Sequence, residues 1–299
     1  MSKKKVIGII GVGLMGGGMA RNLLRKGYKV IVYDVDREKA NSFLQLGAKV
    51  ASSCKELVKS SDIIITSLPT PLIVREVYLG KDGVIENAKE GQVLIDTSTV
   101  DPETSSSVKK AADMKRVKML AVTLGKGPKQ AEEGSLPLFV GGDREIYEEV
   151  KDFLKDLGGV SYYMGTVEAS ASFKLISNMI GLGNLALLAE GYALSRKFGI
   201  PPEIFIKALK DTGAASYQLD LRLPMMIDND YTTKFALSYT RKDLGLALDT
   251  AKEVRMFVPI TAVIYQLYTL AEKKGLGKLD SAAIYKIYEE WASDSQEKT

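Results

Sequence analysis

Hydrophobic positions in the first half of the chain fall into short unbroken runs set between helical periods. Val6–Ile10, Lys29–Tyr33, Asp62–Ser67, Gln92–Asp96 and Val117–Val122 are apolar, rich in β-branched residues and too short for helices. They read as strands buried on both faces. Lys49–Ala51 is a shorter strand, and Leu136–Val140 a late one closed by Gly141-Gly142. Helical stretches alternate with them: one reaching Lys26 and stopped by Gly27, one over 36–46 stopped by Gly47, Lys55–Ser60, Asp101 to Lys115, and Asp143–Leu157. Asp101 is placed to cap its helix, with Pro102 at the first helical position. Strand–helix alternation predicts a parallel sheet with right-handed crossovers. The pattern changes after Gly165. No proline occurs up to Phe198 and the period is helical. A helix of about 30 residues, roughly 45–50 Å long, is expected to bridge two domains and to end at Pro201-Pro202. Beyond it, 202–211, 241–256, 260–274 and 280–292 read as helices with a frayed end. The expected domains are 1–164 and 165–299.

The first strand runs into Gly11-Val12-Gly13-Leu14-Met15-Gly16, spaced G-x-G-x-x-G and followed by a helix and a second strand ending at Asp34. In that setting the motif marks a dinucleotide-binding turn. Gly11 makes the turn, Gly13 lets backbone amides approach a pyrophosphate, and Gly16 lets helix and strand pack closely. The helix N-terminus offers unpaired N–H groups to the phosphates. A carboxylate at Asp34 accepts the adenosine ribose hydroxyls and repels a 2′-phosphate, which favours NAD over NADP. Arg37 lies near enough to leave NADP open. The expected fold is therefore α/β: a Rossmann-type, doubly wound N-terminal domain joined by a long helix to an all-α C-terminal domain.

Composition narrows the chemistry. The chain of 299 residues carries a net charge of +4, too mild and scattered for nucleic acid but suited to small anionic ligands. No stretch reads as a membrane span. Lys3–Lys5 before an apolar run has the look of a leader, but the glycines and the strand that follow argue against one. Cys54 is the single cysteine, so no internal disulfide is expected and the cytoplasm is the expected compartment. Cys54 reads as packing or partial exposure, not as a nucleophile. The chain has no histidine. Acid–base work thus falls to Lys, Asp, Glu or Tyr, and no metal is expected.

Ligands of open α/β sheets bind beyond the carboxyl ends of the strands. Leu68-Pro69, Ser98-Thr99 and the loop Thr123-Leu124-Gly125-Lys126-Gly127 follow such ends. On the long helix Lys174 and Asn178 are four apart and share a face. A lysine among small and apolar residues near a domain junction is desolvated toward neutrality and can exchange a proton with an alcohol; the plain alternative is a side chain that snorkels to water. Arg241 and Lys242 read as opening a helix, where two cations oppose the macrodipole and hint at an anionic ligand.

Four blocks in order, GVGLMGGGMARNL at 11–23, DTSTVDPETS at 96–105, GTVEASASFKLISN at 165–178 and KDLGLALDTAKE at 242–253, make the chain resemble the β-hydroxyacid dehydrogenases over nearly its whole length. The group includes 3-hydroxyisobutyrate dehydrogenase, tartronate semialdehyde reductase and glyoxylate/succinic semialdehyde reductase. The resemblance implies that Lys174 is the catalytic lysine and Asn178 its substrate-holding neighbour, that Thr99 and Lys242 lie near the nicotinamide, and that Leu68 and Pro69 touch the cofactor. It implies an NAD(P)-dependent oxidoreductase acting on a small β-hydroxyacid or its semialdehyde, working as a homodimer or homotetramer. A semialdehyde or glyoxylate reductase, or a dinucleotide-binding protein without turnover, are the alternatives. The family's Ser-Gly-Gly loop, which grips the substrate carboxylate, is replaced by a stretch about one residue longer. Either the Thr123 hydroxyl or backbone amides with Lys126 take over that grip, with Ser98 beside them.

Overall fold

The computed structural model describes residues 5–294. Among these residues the chain forms two compact units that divide between Lys174 and Leu175. The first unit begins β1 (Val6–Ile10), α1 (Leu14–Arg25), β2 (Lys29–Tyr33), α2 (Arg37–Asn41), β3 (Lys49–Val50), α3 (Cys54–Ser60), β4 (Ile63–Thr66), α4 (Pro71–Leu79), α5 (Val84–Asn87), β5 (Val93–Asp96) and α6 (Pro102–Met114). It continues β6 (Lys118–Leu124), α7 (Pro128–Glu133), β7 (Leu138–Gly142), α8 (Arg144–Leu157) and β8 (Ser161–Gly165), and includes the first turns of α9 (Val167–Lys197).

The sheet order is β3-β2-β1-β4-β5-β6-β7-β8. Strands β1 to β6 are parallel, and β7 enters antiparallel to β6. The chain moves outward from β1 in one direction and then crosses back to β4, so the β1/β4 boundary is the switch point where such sheets bind ligands. The unbroken apolar runs reflect a sheet covered on both faces. Ile7, Ile9, Ile63, Ile65 and Val122 join one buried cluster, while Ile10, Ile64, Leu94 and Met119 join the other. The Asp101 carboxylate accepts the Thr104 N–H at 2.7 Å and Pro102 opens α6, as the sequence pattern predicts.

Several local expectations change. The single helix expected over 36–46 is broken: Ser42 turns its hydroxyl back to Lys39 O at 2.7 Å, and Phe43 drops into the core before a 3₁₀ turn at Leu44–Leu46. Pro71 and Pro128 open α4 and α7. Each sits at the start of a helix, where a missing N–H costs nothing. The expected end of α9 at Pro201-Pro202 comes earlier. Gly199, at φ +69°, terminates it, and the Ile200 N–H closes on Ser195 O at 3.1 Å.

The second unit holds the rest of α9 with α10 (Pro202–Lys210), α11 (Tyr217–Ile227), α12 (Leu237–Glu253), α13 (Pro259–Lys273) and α14 (Tyr285–Asp294). Leu182, Leu185 and Ala189 of α9 build its core with Leu223, Leu244, Ile264 and Tyr268. α11 escaped the sequence pattern because Pro224 interrupts it. A buried carboxylate, Asp280, holds the connections together. It accepts Arg222 Nε at 3.0 Å, the N–H groups of Lys234 and Phe235 at 2.9 Å each, and that of Ala282 at 3.0 Å. By length and hydropathy α9 is apolar enough to cross a bilayer, which corrects the sequence reading. A third of that apolar stretch is buried, and Leu182, Leu185 and Ala189 within the helix pack into the second unit's core. The frayed end expected after 292 lies largely outside the described residues.

Candidate active site

At the switch point each motif glycine has a distinct physical reason. Gly11 has φ +86°, and a Cβ there would lie 2.4 Å from Ser67 O. A Cβ on Gly16 would lie 1.9 Å from Gly11 O, so α1 meets the turn with no room for a side chain. Gly13 differs: nothing lies within 4 Å of its would-be Cβ, and it is exposed. That open ground at the N-terminus of α1 is the approach a pyrophosphate needs. Val12 is buried, Leu14 is exposed, and Met15 packs against the core.

Asp34, at the end of β2, is pinned from two sides. Its Oδ2 accepts the Val12 N–H at 2.8 Å and its Oδ1 the Asp36 N–H at 2.9 Å. The carboxylate is thereby tied to the glycine turn itself. Arg37 is occupied elsewhere: its guanidinium donates to Ala51 O at 2.8 Å and to Ser52 O, and lies over the Tyr33 ring.

The turns after β4 and β5 are joined by buried hydroxyls. The Thr97 hydroxyl donates to Thr66 O at 2.7 Å. The Ser98 hydroxyl donates to Asp96 Oδ1 at 2.6 Å and accepts the Leu68 N–H at 2.9 Å. Thr97 and Ser98 are buried, whereas Thr99, Leu68 and Pro69 are half-buried. Burial raises the Asp96 pKa above the ordinary carboxylate range, against the opposing pull of hydrogen bonds from Ser98 and Thr66.

After β6 the structure separates the two expected sources of a carboxylate grip. Thr123 and Leu124 are buried residues of the strand itself. The Thr123 hydroxyl lies 3.2 Å from both the carbonyl and the hydroxyl of Ser170 on α9. The Gly125 N–H donates to Pro137 O at 2.9 Å and the Gly127 N–H to Gln130 Oε1 at 3.3 Å. Between them Lys126 is exposed, in the left-handed region at φ +62°.

Helix α9 climbs this side of the sheet. Thr166 lies against Gly141, which pairs with Ala121, and one turn later Ser170 meets Thr123. Lys174 follows Ser170 by four residues on the same stripe. It is half-buried and carried toward the carboxyl edge of β6, the edge that bears the glycine turn.

In the second unit Asn178 Nδ2 donates to Asp243 Oδ2 at 2.6 Å, and Lys242 Nζ lies 2.9 Å from Asp243 Oδ1. Asp243 is 2% exposed. Helix α12 begins at Leu237, so Arg241 and Lys242 lie past its first turn and the macrodipole argument for them fails. Arg241 pairs instead with Glu272 and Tyr265 of α13. Cys54 matches its expected passive role: burial raises the thiol to about 11.

The donor set fits a nicotinamide dinucleotide: an open turn at Gly13, a fixed carboxylate at Asp34 and a helix N-terminus behind them. The open space at Gly13 yields a sharp test. Gly13→Ala leaves the melting temperature within about 2 °C of wild type, because the methyl meets no protein atom, yet weakens NADH binding about tenfold or more by filling the pyrophosphate's ground. NADH fluorescence titration beside a thermal melt reads both; unchanged NADH affinity would place the pyrophosphate elsewhere.

Comparison with known proteins places the chain in a family. The family model for the NAD binding domain of 6-phosphogluconate dehydrogenase matches residues 6–165, and that for the NAD-binding domain of NADP-dependent 3-hydroxyisobutyrate dehydrogenase matches 169–288. The chain is 33% identical to the 2-(hydroxymethyl)glutarate dehydrogenase of Eubacterium barkeri, over 97% of each chain. It is 34% identical to the chloroplastic glyoxylate/succinic semialdehyde reductase 2 of Arabidopsis thaliana, over 93% of this chain and 78% of that one. The crystal structure of 3-hydroxyisobutyrate dehydrogenase from Salmonella typhimurium superimposes with a TM-score of 0.87 at 28% identity, covering 95% of this chain and all of the other. With a dinucleotide turn, a doubly wound sheet and a helical second unit that all match, the chain belongs to the β-hydroxyacid dehydrogenase family of NAD(P)-dependent oxidoreductases.

Proposed function

We propose that this protein interconverts a small β-hydroxyacid and its semialdehyde, with Lys174 as the general acid and base. The observation that supports this most is the station of Lys174, on the Ser170 stripe of α9 where the helix rises past the end of β6. Bound NAD(P) supplies the hydride acceptor or donor. Lys174 takes the proton of the substrate hydroxyl in oxidation and returns one to the carbonyl oxygen in reduction. Asn178, held by Asp243 through its amide nitrogen, is the residue that orients the substrate hydroxyl. Lys126, with its neighbouring glycine amides already engaged, is the cation for the substrate carboxylate, and Lys242 adds positive potential. Gly11 to Gly16, Leu68, Pro69 and Thr99 line the cofactor side. Asp34 receives the ribose hydroxyls, and its fixed charge favours NAD over NADP.

Ile180, Leu187 and Leu194 recur at seven-residue intervals on α9 and are more than half exposed. That stripe supports pairing with a second copy, hence a homodimer or homotetramer. The cytoplasm remains the proposed compartment, from the single cysteine.

Absorbance at the nicotinamide band tests the reading. The substrates are 3-hydroxyisobutyrate, 2-(hydroxymethyl)glutarate and serine for oxidation, and glyoxylate and succinic semialdehyde for reduction. At least one is turned over, with kcat/KM for the NAD couple about tenfold or more above that for the NADP couple, the size of one lost charge-assisted contact. No turnover across the panel would return the chain to a dinucleotide-binding role. A preference for NADP would mean that Asp34 does not govern the choice.

A further inference from the structure

Beneath the turns after β4 and β5 lies a group that the proposed mechanism does not use. Asp96 is 2% exposed and its Oδ1 receives three donors: Ser98 Oγ at 2.6 Å, Thr66 Oγ1 at 2.7 Å and the Ser98 N–H at 3.1 Å. Thr66 Oγ1 also lies 2.8 Å from the hydroxyl of Tyr78, and both residues are fully buried. The Ser98 backbone N–H can only donate, so the Oδ1 it meets is an acceptor. The single protons of Thr66 Oγ1 and Ser98 Oγ are therefore both committed to Asp96. Tyr78 must then donate to Thr66, and the oxygen of Ser98 has only lone pairs left, one of which takes the Leu68 N–H at 2.9 Å.

We infer that Asp96, through Ser98, is a positioning device for the cofactor turn at Leu68, and that Ser98 is not a ligand of the substrate carboxylate. A carboxylate can be recognised only by donors, and Ser98 has no proton to give while Asp96 holds it. The bond it does make fixes the first peptide N–H after Ser67, the residue whose carbonyl abuts Gly11. The buried acceptor oxygen thus sets a direction along the chain of hydroxyls that ends on the backbone beside the glycine turn. Hydrogen bonds chained in this way inside a buried network reinforce one another and hold their geometry accordingly.

The inference rests on the dinucleotide lying at the β1/β4 switch point, and its test keeps the two apart. NADH affinity is read by fluorescence titration, and KM is measured at saturating cofactor for 3-hydroxyisobutyrate or whichever panel substrate is turned over fastest. Ser98→Ala weakens NADH binding about tenfold and leaves substrate KM within twofold. Thr66→Val, which removes the hydroxyl one step further from the cofactor, shifts NADH binding in the same direction. Thr66→Ser, which keeps that hydroxyl, returns it to within twofold of wild type. If Ser98→Ala raises substrate KM tenfold and spares NADH, Ser98 grips the carboxylate and the inference is overturned. If the variants lower only the melting temperature, the network is structural and the inference is likewise overturned. If the wild-type protein itself fails to bind NADH, it is the site assignment that falls.

Discussion

Lys174→Ala is expected to lower kcat by a factor on the order of 10²–10⁴, the usual worth of a positioned acid–base group, while the NADH dissociation constant stays within twofold. Lys174→Arg separates the two things a lysine could contribute. Arginine keeps the positive charge but does not give up a proton in the working pH range. If Lys174 acts only by charge, the arginine variant keeps most of the turnover. If it exchanges the proton, the arginine variant is nearly as slow as the alanine variant, and the limb of the kcat/KM pH profile due to this lysine disappears in both. Full activity in Lys174→Ala would remove the mechanism proposed here. The expectation follows from position: α9 brings Lys174 one turn beyond the Ser170–Thr123 contact, on the side of the sheet where β1, β4 and β5 also end.

The largest loss of stability is expected at Asp280→Ala. This carboxylate is fully buried and binds Arg222 as well as the N–H groups of Lys234, Phe235 and Ala282. Truncation leaves a guanidinium that is 6% exposed without its counter-charge, together with the buried Ala282 N–H without its acceptor. Breaking a buried pair from one side costs about 3–5 kcal/mol. At roughly 2–4 °C per kcal/mol for a chain of this order of size, the melting temperature falls by about 10 °C. Asp280→Asn keeps an acceptor for part of the set and loses less. A thermal melt of the alanine variant within 2 °C of wild type would show that the neighbouring helices close over the gap unaided.

How much of this was legible in advance can be judged element by element. The runs Ile63–Thr66 and Val93–Asp96 announce themselves because a strand covered on both faces has no polar alternation to confuse it. Helix α11 did not, because Pro224 spoils its period although the helix tolerates it. The need for glycine at 11 and 16 was readable from spacing, although only the Gly16 contact, with Gly11 O, lies within the turn, and the atom a Gly11 Cβ would meet, Ser67 O, comes from the end of β4. Lys174 and Asn178 were readable as neighbours on one helical face, but the carboxylate that holds Asn178 comes from 65 residues away.

The sequence by itself thus determined the doubly wound sheet, its dinucleotide turn, the long helix and the helical second half, because those depend on periodicity and on steric limits among near neighbours. Only the tertiary structure decided where the hydroxyls point. Ser98 meets a backbone amide 30 residues away, and Thr123 meets Ser170 across 47 residues of chain. A hydroxyl carries one proton, and its use is settled by whichever acceptor the fold brings within reach. No pattern beside Thr123 records Ser170, which arrives on α9; beside Ser98 the acceptor of its proton, Asp96, is two residues away, but nothing local records the Leu68 N–H that the neighbouring strand brings to its oxygen.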